Sequence, residues 1–153
     1  MQNGPDNRRD AETLSFNKLT ERIIGACIEI HRSLGPGLWE SAYEECLCHD
    51  LSVAGISFER QKQLPVHYKN VKLDCACRLD LVVDQKIVVE LKSVENLMPI
   101  HEAQLLTYLK LSRLTLGLLI NFNVSMFKHG IKRIVNNFQN SASPRLCGEP
   151  VIG

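Results

Sequence analysis

Two short apolar runs on either side of a polar turn carry charged side chains where charge is costly. Residues 79–83 contain Asp80, and residues 87–92 end in Glu90 and Lys92, two positions apart. Runs of this length, rich in Val, Ile and Leu, predict two neighbouring β-strands. An ionised group in such a strand is costly to bury unless it is paired or bound to a metal. The chain must therefore fold so that these charges meet partners.

The length of the connection between these strands decides whether the two acids meet. A two-residue turn would place Asp80 opposite Val89 and turn Glu90 to the other side of the sheet. A three-residue connection at 84–86, or a bulge, places Asp80 opposite Glu90 instead. Glu90 and Lys92 share one face of their strand because successive side chains alternate. We predict the odd register, since a site built from all three side chains requires it.

Two carboxylates and a lysine that converge on one spot are typical of a divalent-metal site that cleaves phosphodiesters. Carboxylate oxygens are the ligands that Mg²⁺ prefers, and an adjacent ammonium group stabilises developing negative charge. A structural alternative fits the same spacing, namely a buried ion pair or a sheet edge charged against aggregation. The spacing alone leaves both interpretations open.

Length and composition favour one compact domain. The chain has 153 residues, of which 44% are hydrophobic and 23% charged, and these values suit a single core. We expect a flexible lead over residues 1–17, one domain over residues 18–137 and a flexible tail over residues 138–153. The net charge of +1 gives no global attraction to nucleic acid, so binding would need a local basic patch. The candidate cations are Arg60, Lys62, Lys69, Lys72, Arg78, Lys86, Lys128, Lys132 and Arg133.

The six cysteines are interpreted as reduced thiols of a cytoplasmic protein. The apolar content can build a core without disulfides, and the first residues do not read as a signal peptide. The Cys-x-Cys pairs at 46–48 and 75–77 lack the two-residue spacer and second ligand pair typical of zinc sites. No apolar run reaches the roughly 18 residues of a membrane span. We therefore expect no zinc site and no membrane segment.

Apolar periodicity predicts a mixed α/β order. Apolar residues spaced by three and four indicate helices, and alternating or continuous short apolar runs indicate strands. Gly35-Pro36-Gly37 ends the first helix. The last helix links two strands that we expect to be parallel across a right-handed crossover. Helices are predicted over residues 19–34, 38–54 and 99–112, and strands over residues 57–61, 64–68, 71–83, 86–91, 115–121 and 126–135.

The order of these motifs resembles that of a known group of nucleases. Asp80 with Glu90-x-Lys92, preceded by a helix with glutamates and followed by one with Gln104 and Tyr108, resembles the PD-(D/E)XK nuclease superfamily. More narrowly, Gly-Leu-Trp-Glu-Ser-Ala-Tyr resembles the Gly-x-x-Glu-x-x-Tyr signature of the GxxExxY proteins. This match lies at residues 37–43, with further matches at residues 29–37, 101–109 and 117–122.

The resemblance implies an α/β, restriction-endonuclease-like (PD-(D/E)XK) core, with a mixed central sheet flanked by helices. It also implies Mg²⁺, or Mn²⁺ in its place, held by Asp80, Glu90 and the carbonyl oxygen of Leu91. Lys92 would act on the attacking water or the developing charge. The proline of the superfamily name is absent, because Leu79 precedes Asp80.

Further residues and partners follow from the same resemblance. The glutamate of the preceding helix is either Glu40 or Glu44, with Glu44 favoured, and Gln104 would brace the lysine or the water. The expected partner is nucleic acid, with DNA favoured, and a homodimer is an option by resemblance to resolvases. Tyr43, Tyr108, His31 and His101 read mainly as packing or capping residues.

Two other functions remain open from the sequence. One is a catalytically silent module that keeps the fold and binds nucleic acid or a protein. The other is a phosphohydrolase of small molecules or nucleotides, which would need an enclosed pocket where a polynucleotide enzyme needs an open groove.

Overall fold

One five-stranded sheet organises the molecule. This computed structural model describes residues 5–137, with side chains described from residue 15 onward. Within that range the chain forms three α-helices, five strands and a short 3-10 turn. In chain order these are α1 (Pro5–Leu34), α2 (Glu40–Val53), β1 (Phe58–Tyr68), β2 (Val71–Val83), β3 (Ile87–Lys92), α3 (Pro99–Ser112), β4 (Leu116–Asn121), the 3-10 turn (Phe127–Gly130) and β5 (Ile131–Val135).

The sheet is mixed, as predicted. Its strands lie in the order β1-β2-β3-β4-β5, and β3 and β4 are parallel while the other neighbours are antiparallel. Parallel neighbours need a crossover connection, and α3 supplies it between β3 and β4. The strand that carries Glu90 therefore lies at the centre of the sheet.

Two hydrophobic clusters cover the two faces of the sheet. On one face, α1 and α2 pack against β3 residues Ile87, Val89 and Leu91. On the other face, α3 packs through Leu105 and others against a second cluster that includes Val88. A strand buried on both faces is a continuous apolar run, which explains the sequence pattern of β3. The charged residues at its end are exceptions within this buried strand.

Helix α1 is longer than predicted. It is already helical at Pro5, whereas the sequence predicted a lead-in without structure over residues 1–17. The first residues have no apolar period, so periodicity gave no sign of a helix there. Adding residues to an existing helix is far easier than nucleating one, and α1 is anchored by buried Ile23 and Cys27. Residues 1–4 and the predicted tail, 138–153, lie outside the described residues.

Two other boundaries differ from the prediction. Strand β1 is one element rather than two, although its backbone is irregular at Gln61, which has a φ of 49°. The predicted strand 126–135 is instead the 3-10 turn followed by β5. A Cβ atom at Gly130 would lie 2.1 Å from the carbonyl oxygen of Asn121, so this close approach requires glycine.

Candidate active site

The β2–β3 turn has the predicted odd register. Val83 pairs with Ile87, so residues 84–86 form a three-residue connection. Asp84 and Gln85 have φ values of 51° and 54°, and the Lys86 N–H donates to the Val83 carbonyl oxygen at 3.0 Å. This register continues through Leu81 opposite Val89. One step further it places Asp80 opposite Glu90, and this prediction is confirmed.

At that step, hydrogen bonds to the two carboxyl groups take the place of backbone-to-backbone hydrogen bonds between β2 and β3. The N–H of Asp80 donates to Oε1 of Glu90 at 3.1 Å, and the N–H of Leu91 donates to Oδ2 of Asp80 at 3.0 Å. Each acid is thus fixed by the backbone of the other strand. A carboxylate has about four lone-pair sites, so this contact leaves further sites on both acids. Asp80 and Glu90 therefore form one preorganised oxygen cluster.

The surroundings of Glu90 disfavour its ionised form. Its residue is 6% exposed. Burial, followed by the charge of Asp80, raises the pKa of Glu90 to about 8, although the backbone hydrogen bond from Asp80 and the charge of Lys92 act in the opposite direction. Two carboxylates this close disfavour double ionisation. A proton or a bound cation at this point would remove the repulsion between the two carboxylates.

Lys92 lies two residues after Glu90, and its ammonium group is close enough to lower the pKa of Glu90. The side chain is half-buried. Within the described part of the chain, Lys92 forms no ion pair, since no acidic oxygen lies within 4.0 Å of it. Its ammonium group is thus near the acids without being neutralised by one of them.

A small cavity of about 170 Å³ opens beside Asp80. The sequence left the choice between Glu40 and Glu44 open, and the structure places both at this cavity. Glu44 is buried and accepts a hydrogen bond from Gln61 Nε2 at 2.8 Å, while Glu40 is exposed at the start of α2. The lining residues are Glu40, Ser41, Glu44, Gln61, Arg78, Asp80 and Leu91.

The turn before α2 explains the glycines and the tyrosine of the Gly-x-x-Glu-x-x-Tyr segment. Gly35 and Gly37 have φ values of 67° and 102°, which favour glycine. The Tyr43 hydroxyl accepts from the Leu38 N–H at 3.1 Å and donates to the Gly35 carbonyl oxygen at 2.6 Å. Its ring stacks on Phe122 with centroids 4.2 Å apart. Tyr43 therefore stabilises the turn that precedes α2, and this turn positions Glu40, the first residue of that helix.

The end of β3 is tied to this turn. Ser93 Oγ donates to the Leu38 carbonyl oxygen, and the Ser93 N–H donates to Glu40 Oε1 at 3.4 Å. Buried Asn121 holds the next residue, since its Oδ1 accepts from the Val94 N–H at 3.1 Å and its Nδ2 donates to the Val94 carbonyl oxygen at 2.9 Å. These contacts fix the backbone that follows Lys92. Ser93 was not predicted from the sequence, and Asn121 was named there only as part of a motif.

Gln61 is the cavity residue that the sequence analysis missed. It lies opposite Asp80, because its neighbours Arg60 and Lys62 pair with Leu81 and Leu79. Leu79 packs on the α3 side of the sheet and Leu81 on the other side, so the alternation breaks at this step. A non-glycine residue at positive φ costs about 1–3 kcal/mol and persists where its surroundings enforce it. In the sequence, the sign of this irregularity was the gap between the two predicted short strands, residues 57–61 and 64–68.

Gln104 and Tyr108, both on α3, differ in how close they lie to Asp80 and Glu90. Gln104 is exposed and is not among the cavity-lining residues. Tyr108 is half-buried, and burial followed by the charge of Glu90 raises its pKa. Of the α3 residues singled out by sequence, Tyr108 is therefore the one close to the acids.

The two candidate histidines have structural contacts. His101 caps α3, because its Nδ1 accepts from the Met98 N–H at 2.9 Å. His31 packs against the ring of Phe127, with centroids 5.4 Å apart. Its Nε2 lies 2.7 Å from the carbonyl oxygen of Val124, a hydrogen bond when Nε2 carries the proton. Both serve as packing or capping residues, as the sequence suggested.

The oxygen cluster fits a hard divalent cation better than zinc. Among residues 15–137, no group of three or more His, Cys, Asp or Glu side chains is arranged to hold a metal. Mg²⁺ retains several waters and needs only one or two carboxylates from the protein. Asp80 and Glu90 meet that requirement, and Leu91 lines the same cavity. The raised pKa of Glu90 indicates that its ionised form is disfavoured, and a bound cation would stabilise that form.

The cysteines of the described part are free thiols. Burial raises the pKa of Cys48 to about 11 and raises that of Cys27 further, so neither is a ready thiolate ligand. Cys147 lies outside the described residues. None of the helices in residues 5–137 combines the length and apolar character needed to cross a membrane.

A mixed sheet with two facing acids and a lysine on its central strands defines a restriction-endonuclease-like fold, and comparison with known families agrees. Residues 17–134 match the model of the PD-(D/E)XK nuclease superfamily. The chain belongs to this superfamily. Searches of curated proteins and of solved structures found no match.

Proposed function

We propose that this chain is a Mg²⁺-dependent nuclease that hydrolyses phosphodiester bonds in DNA, with Mn²⁺ able to replace Mg²⁺. The observation that carries the proposal is the reciprocal contact of Asp80 and Glu90 with each other's strands beside an accessible cavity. A structural ion pair would join an acid to a base, whereas here two acids face each other. Membership of the nuclease superfamily supports the same reaction class.

The chemistry divides among residues of the site. Enzymes that cleave the slowest phosphodiesters lower the barrier by about 20 kcal/mol, which no single side chain supplies. Asp80, Glu90 and the Leu91 carbonyl would hold the cation, which when bound acidifies a water and neutralises charge on the phosphate. Lys92 would orient or deprotonate the attacking water, or stabilise the developing negative charge.

Two glutamates and a glutamine complete the proposed machinery. Glu44 is the stronger candidate for orienting a water, because Gln61 and Arg60 fix its carboxylate, the latter at 3.5 Å. Glu40 reaches the same cavity from the exposed first turn of α2. Gln104 would brace the lysine or the water from α3. Its exposure makes it the weakest of the three candidates.

The size of the cavity favours a polynucleotide over a small molecule. Pockets that enclose small ligands typically measure about 300–1,000 Å³, whereas the cavity beside Asp80 measures about 170 Å³. It can accept one phosphodiester group but cannot enclose a nucleotide. The rest of the substrate must then lie across the surface of the protein.

Cleavage assays test the proposal. Single-stranded, duplex and branched DNA, with matched RNA, are incubated with the protein and Mg²⁺ or Mn²⁺. We expect cleavage of DNA by the wild type, and its loss in Asp80→Ala and Lys92→Ala. Lys86→Ala removes a lysine of the β2–β3 turn that pairs with Asp84 at 3.3 Å, away from Asp80 and Glu90, and should cut normally. Equal cutting by wild type and both site variants would indicate contamination.

Two further results would redirect the proposal. Faster cutting of RNA than of matched DNA would change the substrate. DNA binding without cleavage under any of these conditions would support the silent module instead.

Homodimerisation stays a prediction, and native mass spectrometry of the full chain measures it directly.

A further inference from the structure

The β1–β2 hairpin continues well beyond the sheet core as a two-stranded ribbon, which we define as residues 63–78. Its tip is a two-residue turn at Lys69 and Asn70, between paired Tyr68 and Val71. Beyond paired Leu64 and Cys77, every residue of the ribbon is exposed except half-buried Val66. At about 3.3 Å per residue, the ribbon extends roughly 20 Å.

One face of the ribbon is continuous with the candidate active site. Leu64 and Cys77 turn toward the α3 side, where they join the second hydrophobic cluster. Gln63 and Arg78, the adjacent pair, therefore face the other side. Arg78 confirms this assignment because it lines the cavity beside Asp80.

The same face continues to the tip. The register shifts between Pro65 and His67, where β2 advances by four residues while β1 advances by two. Lys72 lies on the same side as Gln63, the strand partner of Arg78, because both residues line one groove. A groove of about 620 Å³ runs along this stretch. It is lined by Gln63, Pro65, Lys72, Leu73, Asp74, Cys75 and Ala76.

The charge of the ribbon differs from that of the whole chain. It carries the cations Lys69, Lys72 and Arg78 and one acid, Asp74, for a net charge of +2 against +1 for all 153 residues. Lys72 and Arg78 form none of the ion pairs found among the described residues. They lie six positions apart on β2, but their partners Gln63 and His67 are only four apart on β1, so the two cations are separated by roughly 13 Å.

We propose that this face of the ribbon binds the sugar-phosphate backbone of the polynucleotide substrate on one side of the scissile bond. The inference rests on the proposed function and specifies the length of substrate that the site requires. Arg78 contacts a phosphate next to the cut, and Lys72 contacts one further along. At about 3.4 Å per nucleotide along a duplex strand, roughly 13 Å corresponds to about four nucleotides.

Binding measurements on an inactive protein test the ribbon. The full chain with Asp80→Asn is titrated into labelled 30-base-pair and 8-base-pair duplexes over 50–200 mM salt. We expect weaker binding of the short duplex. Lys72→Gln should weaken binding of the long duplex about 3- to 10-fold and reduce the slope of log K against log salt by about one.

Lys62→Gln is the matched control, because Lys62 lies on the opposite face beside Leu64 and Leu79 and pairs with Glu59 at 3.3 Å. It should bind DNA within twofold of the parent. Both lysines are partly or fully exposed, so both variants should melt at the parental temperature. Equal losses from the two variants, or an unchanged salt slope in Lys72→Gln, would overturn the ribbon assignment.

The outcomes separate this inference from the proposed function. A wild type that cuts DNA, with Lys72→Gln binding normally, refutes the ribbon alone. A wild type that never cuts, with Lys72→Gln binding weakly, refutes the nuclease activity and supports the ribbon. Exposed Tyr68 and Val71 at the tip suggest a different occupant, a second copy of this chain. Loss of a dimer in Lys72→Gln, without loss of DNA binding, would assign the face to that contact.

Discussion

The two halves of the β1–β2 hairpin are built from the same two strands but differ in burial, strain and charge. In the core half, residues 58–62 and 79–83, the β2 side chains are buried, with Leu79 and Val82 in the cluster under α3 and Leu81 and Val83 in the cluster under α1 and α2, while the ribbon has both faces exposed beyond its base. The irregular step where Gln61 faces Asp80, which we call the border, lies one residue pair before the ribbon begins. Chemistry requires groups held in place by packed elements, whereas binding a flexible phosphate backbone tolerates mobile ones. The hairpin therefore joins a packed end that carries Asp80 to an exposed end, which suits the proposed division between chemistry and substrate binding.

The largest expected effect comes from one substitution made in each half of β2. Asp80→Asn keeps the shape of the side chain but removes a charge from the oxygen cluster, so we expect kcat to fall on the order of 10³-fold, equivalent to about 4 kcal/mol. Asp74→Asn makes the same chemical change in the ribbon. It should leave kcat unchanged and tighten DNA binding, because it removes the acid beside Lys72. Steady-state cleavage kinetics measure both. Similar kcat losses in the two variants would erase the distinction between the halves.

A second prediction concerns pH and the charge buried at the border. The pKa of Glu90, raised to about 8, exceeds its value in the unfolded chain, so the folded protein holds a proton that the unfolded chain has lost between about pH 4.5 and 8. The metal-free protein should therefore lose stability as pH rises through this window, by on the order of 3 kcal/mol. Urea unfolding at several pH values, with a chelator present, measures the slope.

Two variants test whether the pH dependence of stability arises from Glu90. Glu90→Gln should flatten the dependence over this window, because it removes the carboxyl group whose pKa is raised by burial and by the charge of Asp80. Glu59→Gln removes an exposed acid of the neighbouring strand and should keep the wild-type slope. Adding Mg²⁺ to the wild type at pH 8 should restore stability. A metal-free protein that is as stable at pH 8 as at pH 5 would show that the two carboxylates tolerate double ionisation.

Sequence patterns predicted the core half and β3 well because burial dictates their composition. The three-residue turn at 84–86 was predicted because a site that combines Asp80, Glu90 and Lys92 requires the odd register, and the strand pairing shows that register. The bounds of α3 followed from Pro99 and the helical period. Where burial imposes no pattern, as in the polar start of α1, periodicity failed.

Other site residues were not predicted, for a different reason. Gln61, Ser93 and Asn121 act through contacts with parts of the chain that are distant in sequence, with Glu44, Leu38 and Val94 respectively. A polar side chain looks the same in sequence whether it contacts such a partner or solvent. The positive φ of Gln61 is likewise invisible without coordinates, since glutamine carries no preference for that backbone region.

Two glutamines at positive φ allow the border to be tested without confusing strain and function. Gln61→Gly removes the hydrogen bond to Glu44, and Gln85→Gly makes the same change in the β2–β3 turn, where φ is 54°. Strain relief and added chain entropy oppose each other at both sites, so stability should change by less than about 1 kcal/mol in each. Only Gln61→Gly should lower kcat, by about 10- to 30-fold, because Glu44 loses its positioning contact. A normal kcat in Gln61→Gly would make Gln61 a purely structural residue.

The smallest expected effect contrasts two tyrosines, one buried beside the site and one at the ribbon tip. Tyr43→Phe leaves the ring stacked on Phe122 but removes the hydroxyl that joins Leu38 and Gly35, so we expect a loss of about 1–2 kcal/mol in the free energy of unfolding. Tyr68→Phe removes a hydroxyl from a side chain that is 62% exposed, and its stability should match the wild type. Urea unfolding at fixed pH compares them. If Tyr68→Phe were the more destabilised, the ribbon tip would be packed in solution, and the accessible end of the hairpin would have to be sought elsewhere.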